Sequence, residues 1–148
     1  MPRHSMLTNL ALGAAVISAT VVVHTLGLMA VTHLIGRLTD RFRMHGRRSR
    51  IVAMLTVVIG TLALLTVEVW LWAIAYYLLE VVADFDTALY FSTVTFSTIG
   101  YGDVLPAHGW RLFSALEGID GFLLIGWSTA YLISAGIRVG PFRAGEHF

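Results

Sequence analysis

Three apolar stretches dominate the chain, and each is long enough to cross a lipid bilayer. They run from about Leu7 to Ile35, from Ile51 to Leu79 and from Trp110 to Ile137. Roughly 20 helical residues span a hydrocarbon core, so all three suffice. Backbone groups in hydrocarbon must find partners within the protein, which restricts spanning segments to helices or closed barrels. Runs this long and unbroken predict helices. Composition agrees: 57% of residues are hydrophobic and 13% charged, against about 45–50% and 25% in soluble domains. Arg3 precedes the first run, as in a secretory signal, but the apolar part of a signal covers only about 7–15 residues. The run therefore reads as a retained span, on which Ala11, Ala15 and Ala19 offer a small-residue face to another helix.

Charge sets the expected topology. Ten arginines and no lysines stand against nine acids, a balance that gives no pull towards nucleic acid. Six arginines lie within Arg37–Arg50, between the first two spans, and Arg138 and Arg143 follow the third. Basic residues accumulate on the cytoplasmic side. Residues 37–50 and the tail 138–148 are thus expected in the cytoplasm, with the N-terminus and the segment between spans two and three outside. No arginine ladder runs through the first span, so it is not read as a voltage sensor. The tail is expected to be too short for a nucleotide- or calcium-binding domain. With no cysteine, disulfides, thiol catalysis and cysteine-bound zinc are excluded. No nucleophile–base pair, metal-ligand cluster or phosphate loop suggests an enzyme.

Residues 80–109 form the informative segment. Asp84, Asp86 and Asp103 flank a middle, Thr87 to Ile99, that is too apolar for an exposed loop. Asp86 is the expected N-cap of a short helix over 86–97. Twelve helical residues rise about 18 Å and cannot cross. The segment is therefore expected to dip into the membrane as a half-helix and return as an extended strand, shielded by protein or a water-filled cavity.

The return reads Thr98-Ile99-Gly100-Tyr101-Gly102-Asp103, after Ser92-Thr93-Val94-Thr95-Phe96-Ser97. Together these resemble the filter and pore helix of the potassium channel family, and the resemblance covers about residues 51–137. It is to small prokaryotic channels carrying an extra N-terminal helix. It implies an all-α membrane protein: three transmembrane helices plus a re-entrant pore helix and an extended selectivity filter, assembled as a C4 homotetramer in the cell membrane. The implied parts are a peripheral N-terminal helix (1–36), outer helix (51–80), pore helix (86–97), filter (98–103) and inner helix (110–137). The implied activity is passive conduction of K+, coordinated by Thr98, Ile99, Gly100, Tyr101 and Gly102, with ions held at Thr98 to Tyr101 and Asp103 at the outer mouth. No cofactor is expected beyond the permeant ion, and the expected partners are further copies of the chain and lipid.

Elementary geometry supports that reading. Successive carbonyls point to one side only if the backbone alternates in handedness, and glycine adopts left-handed conformations at little cost. One such segment per chain cannot surround an ion, so a cyclic assembly must supply the others. Tyr101 is expected to turn away from the axis into pore-helix aromatics. The negative end of the pore-helix dipole, near Ser97, would face a cation. A weakly selective monovalent cation channel, or a non-conducting interaction subunit, are the alternative functions.

The resemblance implies that the third span lines the pore; on it Phe122, Ile125, Thr129 and Ile133 share one face and are assigned to the cavity and inner gate. Gly121 or Gly126 stands where the resemblance implies a hinge; close packing is the equal alternative for either. Glu68, Glu117 and Asp120 lie within spans, where acids are costly and point to function. They are read as filter supports through hydrogen bonds, with simple capping of helix or loop groups as the alternative. The pore-helix position at which some family members carry an acid is Val94. His24 and His33 are read as packing residues on opposite sides of the first span, with proton sensing as the alternative. Trp70, Trp72, Tyr76, Tyr77 and Trp110 are read as an interfacial aromatic belt.

Overall fold

A computed structural model describes residues 6–41 and 47–139. It contains helices α1 (Met6–Arg41), α2 (Arg47–Leu78), α3 (Phe85–Phe96) and α4 (Arg111–Val139), with a 3-10 turn over His108–Trp110 leading into α4. Helices α1, α2 and α4 are long and apolar enough to cross a membrane. Helix α3 has 12 residues and is not. Helices α1 and α2 both run into the arginine-rich segment expected as a loop. Its centre, residues 42–46, lies outside the described residues, as do Arg3 and the tail from residue 140.

The spanning helices meet through paired contacts. On α1, Asn9 bonds Gly109 and Phe113 at the start of α4, Thr20 bonds Asp120 and Thr32 bonds Tyr131, so α1 and α4 run in the same direction. Against α2 the order reverses: His24 meets Glu68 and Val31 fills the space at Gly60. Lipid tails are as apolar as leucine, so helix association in a bilayer rests on close packing rather than on water exclusion. Glycine notches supply it. The space a Cβ would take at Gly13 holds Leu116, and at Gly27 it holds Leu64. The expected alanine face is instead exposed at Ala11, Ala15 and Ala19. Alanine leaves less room than glycine, and the leucine knobs enter the deeper notches.

The half of the bundle that packs on α3 is an aromatic core. Tyr76 packs edge-on against Phe91 at 5.1 Å and Phe113 at 5.6 Å. Trp72 and Trp110 close on the Phe113 ring at 5.1 and 5.7 Å. Each such pair adds about 0.5–1.5 kcal/mol beyond area burial. Trp72, Tyr76 and Trp110 are therefore core residues, contrary to the belt expectation; Trp70 and Tyr77 do lie about half exposed. The reason is helical phase: Trp72 and Tyr76 are four apart and share the inward face of α2, which Trp70 and Tyr77 do not.

Two polar caps fix α3 between the long helices. Helix α2 ends in a Schellman motif: Glu80 takes φ 53°, its N–H donates to Tyr77 O, and Val81 N–H donates to Tyr76 O. Asp84, not Asp86, is the N-cap of α3. Its backbone is extended and its carboxylate accepts from Thr87 N at 2.8 Å and Thr87 Oγ1 at 2.8 Å. Helix α3 begins one residue earlier than expected, at Phe85, which leaves Asp86 in its first turn. The Thr87 N–H bond holds the exposed Asp84 carboxyl below its ordinary titration range.

Candidate functional site

Helix α3 delivers residues 98–103 to the surface of the subunit. Its last carbonyls fold the chain back on itself: Thr95 O accepts from Thr98 N at 2.9 Å, and Val94 O accepts from both Ile99 N and Gly100 N at 3.0 Å. The chain does not return as a β-strand, and no strand occurs among the described residues. Left-handed residues instead alternate along it, with φ 61° at Thr98, 54° at Gly100 and 77° at Gly102. A Cβ at Gly100 or Gly102 would meet open space within the chain, so conformation rather than room calls for glycine there. Thr98 adopts the same conformation with a β-branched side chain, a genuine outlier that costs of order 1–3 kcal/mol.

Every residue from Thr98 to Asp103 is exposed in the single chain, Tyr101 to 71%. The Tyr101 ring is thus not packed among the aromatics of its own subunit. Asp103 is tied back to α3, its Oδ2 accepting from Tyr90 OH at 2.6 Å. That bond holds the Asp103 carboxyl below its ordinary range and raises the Tyr90 phenol above its own.

Behind α3, away from the 98–103 segment, lies a buried polar network. Glu117 of α4 accepts from Ser92 Oγ on α3 at 2.5 Å and from Tyr76 OH on α2. Ser92 Oγ also sits 2.9 Å from Val69 O. Asp120 Oδ2 accepts from Thr20 Oγ1 on α1 and from Trp72 Nε1 on α2, both at 2.8 Å. Glu68 Oε1 lies 2.8 Å from His24 Nδ1. The three acids are fully or almost fully buried, but only Glu117 touches α3 directly. Val94 is buried; the acid that meets the short helix arrives from α4 and grips Ser92 instead. No group of three or more potential metal ligands occurs among the described residues.

The two glycines of α4 differ. A Cβ on Gly121 would fall 2.0 Å from Phe96 O at the end of α3, whereas one on Gly126 would meet nothing within 4 Å. Gly121 is therefore a close-packing position against backbone. Phe122, Thr129 and Ile133 are exposed and Ile125 is partly buried, so the face assigned to a cavity is largely uncovered by the chain's own helices. His33 is exposed and bonds Met29 O within α1.

Sequence reasoning singled out the acids but missed their partners, Tyr76, Trp72, Ser92 and Thr20, and missed His24 as the neighbour of Glu68. Helical phase was the one available signal: Trp72 lies four residues after Glu68, Tyr76 four after Trp72, and His24 four after Thr20, each a same-face step.

No curated protein and no solved structure matches the chain. A family model described as ion channel matches residues 64–138, which takes in the second half of α2, all of α3 and its return, and nearly all of α4. With just over half of its residues covered by that match, and three helices able to span a membrane, this chain belongs to the ion channel family.

Proposed function

We propose that four copies of this chain form a potassium-selective channel, with residues 98–103 of each copy around a common axis. The observation that carries this reading is the alternation of left-handed backbone at Thr98, Gly100 and Gly102 on a segment its own subunit leaves exposed. Alternation turns the intervening carbonyls the same way. A potassium ion stripped of water needs oxygens on all sides, and successive rings of carbonyls from Thr98, Ile99, Gly100, Tyr101 and Gly102 replace its hydration shell. The strained Thr98 makes sense if its side chain is needed there: its hydroxyl adds a layer at the inner end. In the assembly Tyr101 packs on a neighbouring subunit, and Asp103 concentrates cations at the outer mouth. Glu117 braces the pore helix through Ser92, and Glu68 and Asp120 hold the helices behind it. Phe122, Ile125, Thr129 and Ile133 line the cavity below.

The arginine-rich segment 37–50 and the C-terminal tail face the cytoplasm in this arrangement, with the N-terminus outside. Because the chain has no cysteine, Ser49→Cys and Ala107→Cys report sidedness cleanly. Only the second is labelled by an impermeant maleimide on intact cells.

Purified protein in liposomes tests the function. Barium-sensitive potassium flux is expected, with a reversal potential that follows potassium in mixed potassium and sodium, and Gly100→Asp abolishes it. Equal permeability to sodium would replace this reading by a weakly selective cation channel. No flux from an intact tetramer would replace it by a non-conducting subunit.

A further inference from the structure

The polar interior between α1, α2 and α4 leaves four buried atoms without a partner. Glu68 Oε2 and Asp120 Oδ1 have no hydrogen-bond partner in the protein, and neither do His24 Nε2 and Ser128 Oγ. All four residues are at most 3% exposed. A carboxylate only accepts hydrogen bonds, and buried polar atoms left unmatched are costly. The two carboxyls are also neighbours. Trp72, one turn beyond Glu68 on α2, donates to Asp120, and Thr20, one turn before His24 on α1, donates to the same oxygen. Asp120 therefore sits about one helical turn from the His24–Glu68 pair. Beyond it on α4, Trp127 packs on the His24 ring at 5.2 Å, and Ser128 continues the same stripe two turns from Asp120.

We infer that the Glu68–Asp120 pair binds one exchangeable proton, which supplies the donor these carboxylates lack and locks α2 onto α4. The other titratable groups facing this interior are His24 on α1, Tyr76 on α2 and Glu117 on α4; α3 contributes Ser92, which does not titrate. When the proton leaves, two carboxylates confront one another across the α2–α4 contact. Their repulsion in a low-dielectric interior loosens α4 from α2. The α2–α4 contact is then tighter at acid than at alkaline pH, and α4 transmits the change through Glu117 and Ser92 to α3.

Infrared spectra of the intact assembly in lipid, recorded from acid to alkaline pH, test this without any current. A protonated-carboxyl band that disappears on alkalinisation is expected, together with a fall in thermal stability over the same pH interval. The band should be lost in both Glu68→Gln and Asp120→Asn, whose stability no longer follows pH, and kept in Glu117→Gln. The inference is overturned if no such band exists in the wild-type protein, a measurement that needs no variant to fold. It is equally overturned if the band belongs to Glu117 alone. The band and its pH-linked stability persisting in a protein that conducts nothing would count against the proposed function and leave the proton site standing.

Discussion

Gly121 offers the sharpest test of how α4 supports the 98–103 segment. In Gly121→Ala the new Cβ would lie 2.0 Å from Phe96 O, 2.7 Å from its carbonyl carbon and 2.8 Å from its Cα. Cβ atoms essentially never come within 3.0 Å of another heavy atom, so α4 and the end of α3 must separate by about 1 Å. The obstacle is backbone, which has no rotamer to change. The same Phe96 carbonyl stands two residues before Thr98, so any retreat of α3 displaces the segment that begins there. Overpacking of this kind costs about 1–3 kcal/mol, and each 1.4 kcal/mol is about a tenfold change in an equilibrium. Gly126→Ala is the matched control: its Cβ meets open space, and in soluble helices alanine outranks glycine by about 0.8–1.0 kcal/mol. The temperature at which the assembly dissociates and the potassium flux should both fall in Gly121→Ala, while Gly126→Ala keeps its stability. If Gly126 is a hinge, its variant alters open probability alone. A Gly121→Ala protein as stable and as conductive as wild type would refute the reasoning.

Three further outcomes follow from the contacts. Glu117→Gln cannot accept from both Tyr76 and Ser92 without turning an N–H towards one of them; a loss of about 1–3 kcal/mol and faster inactivation in single-channel records are expected, with Tyr76→Phe milder. Tyr90→Phe removes the bond that keeps Asp103 below its ordinary range. Because that depressed group contributes its charge above its titration and loses it as pH falls, acid loss of conductance at low salt should begin at higher external pH in the variant. Asp84→Ala should lower stability more than Asp86→Ala, since only Asp84 caps α3; equal effects in thermal melts would return the cap to Asp86.

Hydropathy and one six-residue motif made much of the architecture legible. The spans were readable because bilayer thickness imposes a length on any apolar helix, and the short helix was readable because its length forbids a crossing. Partner choice between helices was not readable. Pairing His24 with Glu68 requires the relative rotation and depth of two helices, and no local pattern on either encodes both. Trp72 and Tyr76 failed differently. Their inward phase was available from helical spacing, but a cluster of aromatics near a span end fits an interfacial belt equally well until the neighbouring Phe91 and Phe113 are placed. Thr98 shows a third limit: threonine gives no warning of a left-handed backbone, because sterics argue against it, and only the carbonyls of Val94 and Thr95 that bind the chain beyond explain how it is held.

The buried acids and the exposed 98–103 segment are two sides of one arrangement. In the proposed assembly a short helix ends inside the membrane, where its chain must change direction with water scarce, and its position cannot rest on apolar contact alone, since lipid would serve as well. Helix α3 is held instead by groups that lipid cannot replace: the Asp84 cap at its start, Glu117 on Ser92 at its middle, and Gly121 under Phe96 at its end. The Glu117 and Gly121 grips fall on the side turned towards its own subunit. That leaves the opposite side, with residues 98–103, exposed and tied to its own chain through the Val94 and Thr95 carbonyls and the Tyr90–Asp103 bond. If the brace were mere packing, replacing Glu117 and Ser92 together by apolar residues of similar volume would restore what either single change loses. If it positions the filter, the double variant regains stability yet still inactivates faster than wild type, and a fully rescued current would sink that role.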